Sequence, residues 1–167
     1  MTSNLMPVNY SDYVLENDFI SEQNGTGTRG REFYIYKCKD GTEWVRLKNS
    51  EKAVERFCGF LYLQEAKLKE VIPAENKMAK YRGEIVYLSK YCGENFPNVF
   101  QSCEAVGELR EKGYKDFQQG ANMRIVDHKI YIFDTEKSSF DPKVHEKIDA
   151  FVAMHDAIRT NLESKRN

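Results

Sequence analysis

Short alternating runs of aromatic and β-branched residues are separated along the chain by stretches whose apolar residues recur every three or four positions. Residues 32–38 (EFYIYKC) and 42–48 (TEWVRLK) flank Asp40 and Gly41, a two-residue turn signal, and together predict a hairpin. Asn49 and Ser50 can cap a helix, along which Ala53, Val54, Phe57, Leu61 and Leu68 recur at helical steps. Pro73 ends that region. Residues 77–81 and 83–91 read as two further strands, 99–112 as a second helix closed by Gly113, and 123–126 with 129–133 as a hairpin around Asp127 and His128. Asp141 as cap and Pro142 in the first turn open a last helix, with Val144, Ile148, Phe151, Val152, His155, Ile158 and Leu162 on its buried face. The first 20 or so residues have weak periodicity and predict an irregular lead-in, with room for one short helix. The expected order is strand, strand, helix, strand, strand, helix, short hairpin, helix: an α+β chain.

At 167 residues the chain is long enough for one domain with a real core. Its 41% hydrophobic and 31% charged residues are ordinary for a globular protein. Lys and Arg number 25 against 26 Asp and Glu, a balance that leaves no footprint for nucleic acid and no basic face for a membrane. No apolar run approaches the roughly 18 residues of a membrane span, so no membrane insertion is expected. Cys38, Cys58, Cys92 and Cys103 form no C-x-x-C pair, and His128, His145 and His155 do not fall at metal-ligand spacing beside them. That pattern predicts reduced thiols in a cytoplasmic setting and argues against structural zinc. The opening residues lack the layout of a signal peptide, and Met1 is the start expected of a whole protein. There is no internal repeat.

Candidate chemistry begins at Gly25, Gly27 and Gly30 (GTGTRG), where the backbone can approach phosphates with no Cβ in the way. No Gly-Lys-Ser/Thr follows, and a strand rather than a helix comes next, so neither a Walker loop nor a dinucleotide turn fits. The bland alternative is a flexible lead into the hairpin. Arg46 and Lys48 share one face of their strand. Asn122 and Asp134 offer the oxygen ligands that Mg²⁺ prefers, with Asp116 nearby as a carboxylate for acid–base work, although Asp127 and Asp134 could simply begin turns.

In this order the segments resemble the protein-kinase-like superfamily, over residues 25 to 140. The resemblance implies a kinase-like two-lobe α+β fold: an antiparallel N-lobe sheet plus one helix, and a much reduced helical C-lobe. It divides the chain into a lead-in (1–22), an N-lobe-like part (23–93) and a reduced C-lobe with short hairpin and terminal helix (94–167), one compact domain in all. Gly25, Gly27 and Gly30 would match the kinase glycine loop, and VRLK, ending at Lys48, the strand whose lysine holds the α- and β-phosphates, with Arg46 as a substitute. Glu55, favoured over Glu65, would pair with that lysine. The backbone around Ser89 to Tyr91 would read the adenine edge. Asp116 would orient or deprotonate the attacking hydroxyl, and Asn122 and Asp134 would hold Mg²⁺, assisted by Glu136. The implied ligands are ATP or another adenine nucleotide and Mg²⁺.

The chain also departs from the family pattern. Glu32 stands where an apolar residue packs on the base, Asn122 lies six rather than five positions after Asp116, and Tyr114 replaces the catalytic-loop histidine. The D-F-G triplet reads Asp134, Thr135, Glu136, and no A-P-E segment follows. Three functions stay in play: a Mg-ATP phosphotransferase, a catalytically inactive pseudokinase that senses nucleotide or engages a protein partner, and a fold that binds no nucleotide. Stripped kinase-like chains also occur among effector proteins that intracellular bacteria deliver into hosts, an association by family only.

Overall fold

The computed structural model describes residues 14–15, 19–26, 32–47, 51–81, 84–117 and 122–164. Among these, the predicted first hairpin is formed by β3 (Glu32–Cys38) and β4 (Glu43–Leu47), with Tyr36 opposite Trp44. Its turn is closed by Gly41 at φ 90° and by the Asp40 carboxylate, which accepts from the Thr42 N–H and hydroxyl at 2.9 and 2.6 Å. An Asp-Gly pair supplies both requirements, a side-chain acceptor and a left-handed backbone.

The irregular lead-in expected through residue 22 is corrected here. Residues Val14–Leu15 form β1, and Phe19–Thr26 form β2, which pairs antiparallel along all of β3. The segment is polar and contains Gly25, so intrinsic preference does not explain it. It lies at the sheet edge, where a polar strand is tolerated because one neighbour supplies the ladder. With β6 (Asn76–Tyr81) and β7 (Glu84–Lys90), the large sheet has the order β1-β6-β7-β4-β3-β2 and is antiparallel except where β1 runs beside β6.

Helix α1 (Glu51–Glu65) follows β4, one residue past the predicted caps Asn49 and Ser50, which lie outside the described residues. The helix stops short of the expected Leu68 and Pro73: α1 ends at Glu65, and Lys67 follows at φ 53°. Pro73 lies in a short strand, β5 (Ile72–Pro73), which runs parallel to β9 (Lys129–Ile132), itself paired with β8 (Met123–Val126). Asp127 and His128 take φ of 50° and 66°, the two left-handed residues of a tight hairpin turn. Helix α2 (Val99–Glu111) opens with a capping box between Asn98 and Gln101, each bond 2.8 Å. The last helix, α3 (His145–Ser164), is entered through a 3-10 turn at Pro142–Val144 that Asp141 caps.

The core is centred on α1. Its Phe57, Phe60, Leu61 and Leu63 are buried together with Met78 of the large sheet, Leu109 of α2 and Ile132 of β9. Phe140, Val144, Ile148 and Phe151 close the same cluster from the C-terminal side. Fully burying one such side chain contributes about 2–3 kcal/mol. The core runs without interruption across position 93, so α1 and α3, which the resemblance assigns to different lobes, share one interior. His155 joins it at 1% exposure, its Nε2 hydrogen-bonded to the Tyr87 hydroxyl at 2.8 Å and its ring 4.9 Å from that of Phe57. The side chains of Ile158 and Leu162 lie outside the described residues.

Strand β7 feeds two clusters by alternation. Ile85 and Tyr87 turn toward the α1 core, while Val86 and Leu88 pack with Tyr36, Cys38 and Trp44. Among the described residues no helix is long and apolar enough to cross a membrane.

Candidate functional site

Hydrogen bonds around one phenol link the segments of Asp116, Asn122 and Asp134. Tyr114, 1% exposed, donates its hydroxyl hydrogen to the Asp134 carbonyl at 2.8 Å. Asn122 donates from Nδ2 to that same phenol oxygen and to the Asp116 carbonyl, both at 3.2 Å. Ser139, also buried, donates to Asp116 Oδ2 at 3.2 Å, and its carbonyl accepts the Lys115 N–H at 2.9 Å. Residues far apart in sequence are thereby fixed relative to one another. Burial, with the charges of Asp134 and Asp116 behind it, pushes the Tyr114 phenol far up, so it stays a neutral donor.

Position 114 is a tyrosine for a visible reason. It sits at the C-terminal end of α2, where Gly113 at φ 89° reverses the chain and Tyr114 N–H reaches back to Leu109 O. The ring then packs edge-on against Phe117 and Phe140, with centroids 5.3 Å away in each case. Histidine would be too short to span from that turn to the Asp134 carbonyl across the same core.

The segment 134–136 is docked along α1. Thr135, 1% exposed, donates its hydroxyl hydrogen to Arg56 O at 2.6 Å, and its own carbonyl lies against Gly59. On either side of this anchor the acids meet cations of the helix: Asp134 Oδ1 faces the Arg56 guanidinium at 3.8 Å, and Glu136 Oε1 faces Lys52 Nζ at 3.7 Å. Lys52 and Arg56 are one helical turn apart, and Asp134 and Glu136 point the same way from an extended segment, so the pairs match in register. Burial, followed by the Asp134 charge, raises the Glu136 pKa, while Lys52 and Arg56 oppose the rise. Asp134 Oδ1 is buried and takes no hydrogen bond; 3.8 Å is a charge contact only.

The other expected residues are distributed as follows. Gly25 lies in β2 opposite Phe33, while Gly27, Gly30 and Lys48 lie outside the described residues. Glu55 is half-buried on α1 and acts with Asp156 on the Cys58 thiol, which burial first and these carboxylates second push up to about 12. Glu65 is exposed at the end of α1. Ser89 is buried in β7 between Val45 of β4 and Asn76 of β6. The N–H groups of Lys90 and Tyr91 are used inside the fold, donating to Glu75 O and Glu43 O at 2.8 and 2.9 Å. The expected adenine reader at 89–91 is thus occupied at those two amides by carbonyls of adjacent segments of the fold. Beside it, Val45, Ala53, Arg56, Asn76, Tyr87, Leu88 and Ser89 enclose a cleft with room for roughly one water, onto which the unbonded Ser89 Oγ abuts.

For a divalent cation, the described residues contain no group of three or more His, Cys, Asp and Glu placed to hold one. Mg²⁺ bound with a nucleotide needs less, typically one or two carboxylates with the phosphates completing its shell. Asp134 Oδ1, which takes no hydrogen bond, is chemically suited to that minimal role.

Sequence reading missed the cation pair Lys52 and Arg56, and it missed Gly59. The signal was present: two cations at i and i+4 with a glycine three positions on describe one helix face that another segment must approach closely. Comparison with protein-family models, curated proteins and solved structures returned no match.

Proposed function

We propose that this chain is a kinase-like, adenine-nucleotide-binding module that is reduced for catalysis and works by sensing nucleotide or engaging a protein partner. One observation carries the reading: Asp134, the carboxylate that the family resemblance assigns to magnesium, is answered by Arg56 of the protein's own α1. A guanidinium there supplies, from within the chain, part of the positive charge that a metal would otherwise bring. The kinase-like part of the proposal is supported by Gly25 near the end of β2, where that strand pairs antiparallel with β3, and by a helix directly after the strand of Val45. It is supported further by the hydrogen bonds that link Tyr114 to Asp134 O and to Asn122, and Asn122 in turn to Asp116 O.

A Mg-ATP phosphotransferase is the second reading, favoured by Asp116, whose carboxylate is held by Ser139 in the manner of a positioned base. In that case Asn122 and Asp134 would hold Mg²⁺, which would neutralise phosphate charge, and the chain's own residues would align the acceptor. Calorimetry with ATP, ADP and AMP, with and without Mg²⁺, separates the two on the parent and Asp134→Asn. Magnesium-independent binding untouched by the substitution is the expected result. Magnesium-dependent binding that Asp134→Asn weakens would move the assignment to the phosphotransferase. Binding of none of the three nucleotides would end both readings.

A further inference from the structure

Helix α2 turns Ala105 and Leu109 into the core, and the face opposite them is open. Phe100, Cys103, Glu104, Gly107 and Glu111 lie on that outward face at steps of three and four. Phe100 is 91% exposed and its neighbour Val99 80%, the two most exposed large apolar side chains among the described residues. Phe96, half exposed, extends the patch before the helix, held there over the Arg124 guanidinium at 4.2 Å. Val126 adjoins it, because the N–H of Ile125 donates to Asn95 O. At Gly107 a side chain would meet nothing within 4 Å, so the far end of the stripe is a shallow notch. Isolated apolar residues on a surface are ordinary; a contiguous group with two nearly naked members marks a contact site.

The rim sets the sign of what can sit there. Glu104 and Glu111 border the stripe along one side, and Glu94 precedes it, all exposed. Arg110, the exposed cation of the helix, leans the other way over the Phe117 ring at 5.2 Å. Glu70 and Glu108 add to the acidic side, with the Glu70 carboxyl pushed up by a hydrogen bond to Glu104 and by that neighbour's charge. A second copy of the chain would bring acids against acids across a two-fold contact, which costs rather than gains.

We propose that the outward face of α2 docks a basic amphipathic helix of another protein, its apolar stripe on Val99, Phe100, Cys103 and Gly107 and its Lys or Arg residues against Glu104 and Glu111. The assignment is independent of whether nucleotide binds. Small residues at the notch allow close approach, Phe100 is the anchor, and the carboxylates fix the helix direction. The test is selection from a displayed library of helical 18-residue peptides on the full chain, followed by fluorescence anisotropy of the enriched peptides. Enriched sequences should carry apolar residues at helical spacing with a Lys/Arg flank. Phe100→Ser should weaken them at least tenfold with an unchanged melting temperature, and Glu104→Lys/Glu111→Lys should do the same while admitting a Glu-flanked counterpart. Failure to enrich, enrichment without a basic flank, or equal binding to the charge-reversed variant would overturn the proposal. So would self-association of the parent that Phe100→Ser abolishes.

Discussion

The carbonyl oxygen of Thr135 occupies the space where a side chain of residue 59 would begin, so α1 and the 134–136 segment touch backbone to backbone at Gly59. Gly59→Ala should therefore destabilise the protein despite alanine's better helix propensity. The clash involves Thr135 backbone and the buried Phe140 ring, neither of which can swing aside. Overpacking of this kind costs about 1–3 kcal/mol or more, against a propensity gain near 1 kcal/mol. Gly107→Ala on α2 meets no such obstacle and should stabilise by about 0.5–1 kcal/mol. Urea denaturation of the two variants should thus shift in opposite directions; a common direction would refute the close contact.

Arg56 should be holding a place that a metal can take. In Arg56→Met the Asp134 carboxylate loses that cation, and Mg²⁺ at millimolar concentration should then raise the melting temperature of the variant by more than that of the parent. Equal responses would mean that Asp134 is not a cation site in either form.

Tyr114→Phe removes one buried hydroxyl and leaves two partly buried partners short, the Asp134 carbonyl and the Asn122 amide. The expected loss is about 1–3 kcal/mol in chemical denaturation. On the proposed function, any nucleotide affinity should fall with it, since the same hydroxyl ties the Asp134 segment to Asn122.

His155 makes stability depend on acid. Burial first, and the Arg159 charge next, push its pKa down from 6.5 to about 4, with Asp156 opposing. The unfolded chain binds a proton that the folded chain refuses, so the contribution is complete above pH 6.5 and is lost as pH falls toward 4. The groups facing the ring are the Tyr87 hydroxyl and the Phe57 ring, neither of which supplies a carboxylate to hold a buried imidazolium. Urea midpoints measured from pH 7 to pH 4.5 should fall more steeply for the parent than for His155→Gln. Parallel slopes would contradict the buried neutral imidazole.

Local chemistry made much of this fold readable. Asp40 with Gly41, Asn98 with Gln101, and Asp141 with Pro142 each act within three residues of themselves, and each element begins or turns where they stand. Strand β2 was not readable in its own residues, because its ladder is supplied by β3. Nor was β5, two residues long and paired to a strand that begins more than 50 residues later. At the site, the family resemblance points to Asp116, Asn122 and Asp134, but nothing in composition pairs Lys52 and Arg56 with acids some 80 positions away. The resemblance favours Glu55 on α1 because glutamate is the family's residue; the structure turns its neighbour Arg56 toward Asp134.

Helix α1 completes its surroundings only when α3 lies against it, and about 90 residues separate Phe57 from Ile148 and Phe151. Synthesis from the N-terminus therefore produces the large sheet and α1 well before the side chains that cover them. During that interval Phe57, Phe60 and Cys58 are open to chaperones, and non-local closure of this type is slow. A ribosome-stalled chain ending before residue 140 should be protease-sensitive throughout α1. Protection should arrive as one step once α3 has emerged, which makes the last helix the latch of folding for the first.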